Sequence, residues 1–71
     1  MGYIDRGAVK VIEIIGVSDK SWEDAVDVAI SKTAGTIKGI TGVEVTSFTA
    51  KVEDGKVKSY QAACKIAFAV E

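Results

Sequence analysis

The segment "EDGK", residues 53–56, constrains the fold of this chain more than any other feature. It lies between two long stretches rich in β-branched residues. Asp54-Gly55 is typical of a two-residue β-hairpin loop, because the primed turns that join antiparallel strands need positive φ at their central residues. The sequence therefore predicts a hairpin formed by residues 43–52 and 57–70.

A two-residue loop also predicts which residues of the hairpin lie opposite each other. The expected pairs are Glu53–Lys56, Val52–Val57, Phe48–Gln61, Glu44–Lys65 and Gly42–Ala67. Two of these pairs join opposite charges, which favours this register. Paired residues share a face of the sheet.

The register divides the hairpin into two different faces. One is mostly apolar, with Val43, Val45, Ala62, Cys64 and Ile66, and is expected to receive a helix. The other mixes small and polar residues and is expected to pack against a neighbouring subunit or a ligand. Its candidate ligand-binding residues are Gly42, Glu44, Phe48, Gln61 and Lys65.

The chain before the hairpin predicts one strand and one helix. Residues 8–15 are rich in Val and Ile and end at Gly16, as expected of a strand. Ser21 and Asp24 resemble a capping box, and an apolar stripe with helical spacing follows from Trp22 to Ile37. The predicted fold is α+β with the order β-α-β-β, a three-stranded antiparallel sheet wrapped on one helix.

The size of the chain favours an assembly of several copies. A domain of 71 residues buries only about 60 % of its unfolded surface. There is one cysteine and no histidine, so neither a disulfide framework nor a Cys/His metal cluster can add stability. Residues 1–7 are predicted to form a flexible leader and residues 8–71 a single domain that oligomerises.

Composition argues against several classes of partner. A net charge of −1 provides no basic stripe for nucleic acid. No run of apolar residues approaches the roughly 20 needed to span a membrane. Asp5 and Arg6 interrupt any signal-peptide core. We therefore expect a cytoplasmic protein without nucleic-acid or membrane partners.

Residues suited to catalysis are few. Cys64 alternates with Ala62 and Ile66, so a buried inert thiol is expected. Glu44 and Lys65 could form an acid/base pair, but a cross-strand ion pair is the simpler interpretation. Glu23, Asp24 and Asp27 are best explained as a solvated helix start. We therefore expect a protein that is not an enzyme. A small enzyme that uses Glu44 and Lys65 is the last of three functional hypotheses.

Two side chains have better prospects as binding residues. Gln61 carries an amide that can pair with a heterocycle edge displaying donors and acceptors; a hydrogen bond to the backbone of a neighbouring subunit explains it equally well. Trp22 is expected to anchor the core or an interface.

The segments "KVIEIIG", "SDKSWEDAVDVAI", "GVEV", "VEDGKV" and "YQAACKIAF" together resemble the dodecin family. The resemblance implies a hollow dodecamer built from trimers, which binds flavins such as riboflavin or FMN between subunits without turnover. It also implies that a tryptophan at the start of the second strand stacks on the flavin and that a glutamine on the third strand binds its polar edge. Gln61 matches that glutamine.

The tryptophan position of the family pattern is occupied by Gly42. The leading hypothesis is therefore a dodecameric small-ligand binding or storage protein whose flavin binding is weakened or lost. The alternative is a flavin-storing dodecin that uses another aromatic residue, Phe48. The "SWE" helix start resembles a calcium dodecin branch without this tryptophan, which implies calcium or other ions at subunit contacts but assigns no ligands.

Overall fold

The computed structural model describes residues 6–70 and confirms the β-α-β-β order. The elements are β1 (Val9–Ser18), α1 (Trp22–Ala34), β2 (Ile40–Glu53) and β3 (Lys56–Ala69). The strands form one antiparallel sheet in the order β1-β3-β2, so β3 is central. Within residues 6–70 no helix is long and apolar enough to cross a membrane. The predicted leader, residues 1–7, lies mostly outside the described residues.

The helix packs on one face of the sheet through small side chains. Five buried residues form the core, Ala25 and Ala29 from α1 and Ala62, Cys64 and Ile66 from β3. Alanine at the contact lets the helix axis approach the sheet closely. The predicted apolar face of β3 is therefore confirmed as the face that receives the helix.

Gly16 is a point of very close approach between β1 and the helix. A Cβ built on Gly16 would overlap the carbonyl oxygen of Ala25 and lie 2.9 Å from the Cβ of Ala29. The prediction that β1 ends at Gly16 is wrong, because the strand continues through it to Ser18. Glycine here admits the helix backbone and does not terminate the strand.

The helix begins and ends close to the predicted positions. The Ser21 hydroxyl accepts a hydrogen bond from the Asp24 backbone N–H at 3.0 Å, which confirms Ser21 as the N-cap. The Asp24 carboxylate accepts a bond from the Ser18 hydroxyl at 2.6 Å, so it ties the helix start to the end of β1. The helix ends at Ala34, and the predicted stripe position Ile37 lies beyond it.

The predicted turn between β2 and β3 is confirmed. Asp54 and Gly55 have φ values of 53° and 73°, as a primed turn requires. Strand β1 ends opposite Tyr60, so the hairpin continues past the edge of the three-stranded region. We call this two-stranded projection, residues 51–59, the arm.

The register of the hairpin is only partly as predicted. The pairs Glu53–Lys56, Val52–Val57, Glu44–Lys65 and Gly42–Ala67 are confirmed. The predicted pair Phe48–Gln61 is wrong: Gln61 pairs with Thr49, and Phe48 pairs with Ala62.

Two irregularities explain this difference. The register shifts by one residue between Lys51 and Val52 and shifts back between Val45 and Ser47. A shift of one residue moves side chains to the other face of a sheet. Phe48 therefore lies on the face that receives the helix, opposite to the face predicted for it.

Candidate functional site

The sheet face turned away from α1, which we call the open face, is covered by no helix or strand of residues 6–70. Its β1 residues Val11, Ile15 and Val17 are 46 %, 66 % and 50 % exposed. The register places Gly42, Glu44 and Thr49 of β2, together with Gln61 and Lys65 of β3, on this same face. Four of the five predicted site residues therefore share the open face, and Phe48 does not.

Gln61 is the best-placed binding group on the open face. The Thr49 hydroxyl donates a hydrogen bond of 3.0 Å to Gln61 Oε1. This bond orients the side-chain amide and leaves both hydrogens of Nε2 available. Gln61 can therefore donate hydrogen bonds to a carbonyl or ring nitrogen of a ligand.

A row of three charges crosses the middle of the open face. Lys65 lies on the central strand, with Glu13 opposite it on β1 and Glu44 opposite it on β2. All three side chains are exposed. Among residues 6–70 the ion pair with an N–O distance below 4.0 Å is Lys51–Glu53, so Lys65 forms no ion pair that close with Glu13 or Glu44. The expected Glu44–Lys65 pairing is confirmed as register but not as a close ion pair.

Glu13 is a charged residue of the open face that the sequence prediction did not include among the candidate site residues. It is the charged member of the alternating set Val9, Val11, Glu13 and Ile15. A charge in an otherwise apolar set was visible in the sequence. The residues that lie opposite Glu13 across the sheet could not be read from the sequence, because the sequence did not specify that β1 pairs with β3.

Gly42 and Gln61 share a face but do not meet. Gly42 is opposite Ala67, which lies six positions from Gln61 along β3. At about 3.3 Å per residue, this separation is roughly 20 Å. One planar ligand therefore cannot contact both residues in a single chain, and a site containing both kinds of position needs a second copy.

Phe48 belongs to a separate aromatic cluster beside the helix start. Its ring centroid lies 6.1 Å from that of Trp22, and the Tyr60 centroid lies 4.9 Å from Trp22, both with edge-to-face geometry. The Trp22 indole N–H donates a bond of 2.9 Å to the Thr49 carbonyl oxygen. Trp22 thus joins the helix to the hairpin, as an anchor should.

The Trp22 and Phe48 rings border a groove of about 760 Å³, which we call the aromatic groove. It is lined by Ser21, Trp22, Glu23, Val26, Asp27 and Phe48. Trp22 and Phe48 remain 40 % and 56 % exposed. The groove therefore combines an apolar floor with two carboxylates.

Cys64 has the environment expected of an inert thiol. It is 2 % exposed and belongs to the core beneath the helix. Burial raises the pKa of the Cys64 thiol above its ordinary value, because the low-dielectric interior disfavours the thiolate. A thiolate nucleophile is therefore disfavoured at this position.

The fold and the open face define a small α+β protein with one helix and a sheet left uncovered on one side. The model of the Dodecin family matches residues 8–71, and the chain belongs to this family. This finding confirms the family predicted from the sequence.

Individual relatives agree with this assignment. A dodecin from Thermus thermophilus is 26 % identical over 62 residues, which cover 87 % of this chain and 90 % of that protein. The structure of dodecin from Streptomyces coelicolor is similar with a TM-score of 0.90 and 28 % identity, covering 96 % and 97 % of the two chains. A calcium dodecin from Mycobacterium tuberculosis, described as calcium chelating with a novel calcium-binding site, has a TM-score of 0.80 and 29 % identity, covering 92 % and 93 %.

Proposed function

We propose that this chain is the subunit of a non-enzymatic homododecamer, built from trimers, that binds and stores a small planar molecule between open faces of neighbouring copies. The observation that carries the proposal is the placement of Gln61, whose amide donors stand on an exposed face with apolar neighbours. The separation of roughly 20 Å between Gly42 and Gln61, estimated from strand geometry, supports a ligand shared between copies.

Flavin binding by this shell is weak or lost because Gly42 provides no ring. Stacking a base on an aromatic side chain contributes about 1–3 kcal/mol. Each 1.4 kcal/mol or so corresponds to a tenfold change in affinity. The absence of the ring therefore lowers flavin affinity by about one order of magnitude or more.

The flavin platform is not assigned to Phe48. In one chain Phe48 and Gln61 lie on opposite faces of the sheet, because the register shift turns Phe48 toward Trp22.

Calcium or other ions at subunit contacts remain part of the proposal. No group of three carboxylate, thiol or imidazole side chains suited to a metal ion occurs in the part of the chain that the structure describes. The proposed ion is accordingly placed between subunits, with ligands from more than one copy.

The substitution Gly42→Trp tests this function by adding the missing ring. Gly42 is not among the described glycines with positive φ, which are Gly7, Gly39 and Gly55, so its backbone conformation accepts an L-residue. Titration of riboflavin, followed by quenching of its fluorescence, should show at least tenfold tighter binding to the variant than to the natural chain.

Two further variants make the titration specific. Gly42→Ala adds a side chain without a ring and should leave affinity within about threefold. Gln61→Leu in the Gly42→Trp background should weaken binding again while the assembly keeps its size. Sub-micromolar riboflavin binding by the natural chain would contradict the weakened flavin site. A change of assembly size in the Gln61 variant would assign Gln61 to a subunit contact.

A further inference from the structure

We propose that the open face selects its ligand by charge, and that Glu13 and Glu44 make it reject planar ligands that carry a phosphate. This inference rests on the proposed function and deepens it, because it names the class of ligand as uncharged. The selecting residues belong to the row of Glu13, Lys65 and Glu44, which we call the charge row.

A cavity on the open face begins two residues beyond Gln61 along β3 and reaches the charge row. Its volume is about 400 Å³, and four of the residues that line it form two neighbouring cross-strand pairs, Ile15–Ala63 and Glu13–Lys65. The cavity therefore provides a direction in which a ligand bound to Gln61 can extend.

The dimensions of this path suit a planar ligand that carries a tail. Lys65 is four positions from Gln61 along β3, which corresponds to about 13 Å. The residues between them on the open face are apolar, with Ala63 half-buried and Ile15 exposed. A ring system whose polar edge binds Gln61 covers these two side chains, and its far substituent lies at the charge row.

The charge row is negative overall. Lys65 is opposite Glu13 on one side and opposite Glu44 on the other, and residues directly opposite in a sheet have Cβ atoms about 4.5–5.5 Å apart. A phosphate that approaches the single ammonium group therefore also approaches two carboxylates. The repulsion from two negative charges exceeds the attraction to one positive charge.

Assembly increases this selectivity. A ligand bound between open faces of two copies meets two charge rows, each with one negative charge in excess. A contact that excludes water also lowers the local dielectric constant and strengthens the repulsion. The lysine of β2, Lys51, is engaged by Glu53 at 3.3 Å and does not balance the row.

The pair riboflavin and FMN tests the selection, because the two ligands share one ring system and differ by a phosphate. In the Gly42→Trp variant, titration by fluorescence quenching should show FMN binding at least tenfold more weakly than riboflavin. Glu13→Gln combined with Glu44→Gln in that background should reduce the difference to within about threefold, mainly through tighter binding of FMN.

A matched control places the same charge change on the other side of the sheet. Glu23→Gln combined with Asp27→Asn also removes two negative charges, but beside the helix start, where both residues line the aromatic groove. This control should leave the ratio of the riboflavin and FMN affinities unaltered.

Salt separates charge selection from a steric barrier. The Debye length falls from about 10 Å at 0.1 M salt to about 3 Å at 1 M. The preference for riboflavin should therefore shrink at 1 M salt if the charge row causes it, whereas a steric barrier would act equally at both concentrations.

The outcomes distinguish this inference from the proposed function. FMN binding as tight as riboflavin binding in the Gly42→Trp variant would contradict the selection and leave the binding shell standing. Rejection of FMN that persists in the Glu13 and Glu44 variant and at 1 M salt would also overturn the role of these glutamates. If neither ligand binds to Gly42→Trp, the proposed function fails, and the charge selection fails with it.

Discussion

At the scale of single residues, the two informative glycines act for different reasons. Gly16 has no side chain because the helix backbone occupies the space that a Cβ would need. Gly42 lies on the open face, where a ring would be available to a ligand. The first glycine concerns packing within the chain, and the second bears on the proposed ligand site.

Gly16→Ala is expected to destabilise the fold. The added methyl group would overlap the Ala25 carbonyl oxygen, so the helix must move away from β1. Overpacking of this kind typically costs about 1–3 kcal/mol. Urea unfolding followed by circular dichroism would measure the change.

Gly35→Ala is the matched control for this substitution. Gly35 has helical φ and ψ of −66° and −23°, and its nearest contact would be the Lys32 carbonyl oxygen at 3.3 Å. We expect a smaller effect there than at Gly16. Equal stability of the Gly16→Ala variant and the natural chain would show that the helix contact is looser than described.

At the scale of elements, the helix depends on its first turn. Ser21 accepts the Asp24 N–H bond, while Asp24 accepts the Ser18 hydroxyl. The two bonds hold the helix start against the end of β1. This arrangement differs from the predicted capping box, in which the side chain of the third helical residue bonds back to the N-cap backbone.

Ser21→Ala is expected to lower the free energy of unfolding by about 1 kcal/mol, because a backbone N–H loses its partner at the helix start. Equilibrium urea unfolding would measure the loss. Ser31→Ala, an exposed change within the helix, should be neutral or slightly stabilising, since alanine favours helix. A loss of equal size at both positions would contradict the assigned cap.

The hairpin shows where element-level prediction succeeds and where it stops. The turn residues determine the pairs beside the turn, and these pairs are as predicted. The irregularity between Lys51 and Val52 then displaces the next pairs by one residue, which moves Phe48 to the helix face. Bulges leave little trace in a pattern of alternating residues, because the extra residue changes no composition.

At the scale of the whole molecule, the described chain is long and thin. Its principal extents are 49, 23 and 14 Å, and the open face, the arm and the aromatic groove all expose apolar side chains. A chain of 71 residues with so much uncovered apolar surface is expected to gain stability from other copies.

The stability of the protein should therefore depend on its concentration. Dissociation accompanies unfolding in an obligate oligomer, so the midpoint of urea unfolding should rise with protein concentration. Light scattering should give a mass about twelve times the 7.5 kDa of one chain. A midpoint independent of concentration, together with a mass of one chain, would contradict the proposed dodecamer.

The order of elements, the turn at Asp54-Gly55, the cap at Ser21, the buried Cys64 and the family could all be predicted from the sequence alone. These features depend on neighbours along the chain or on short alternating patterns, so local residues suffice to predict them. The three-dimensional fold was needed to establish that β3 is central, that Glu13 lies opposite Lys65, and that Phe48 turns toward Trp22. These features depend on how distant segments meet and on bulges that shift the register. For the same reason, Gly16 proved to be the glycine of close approach, although the sequence had drawn attention to Gly42.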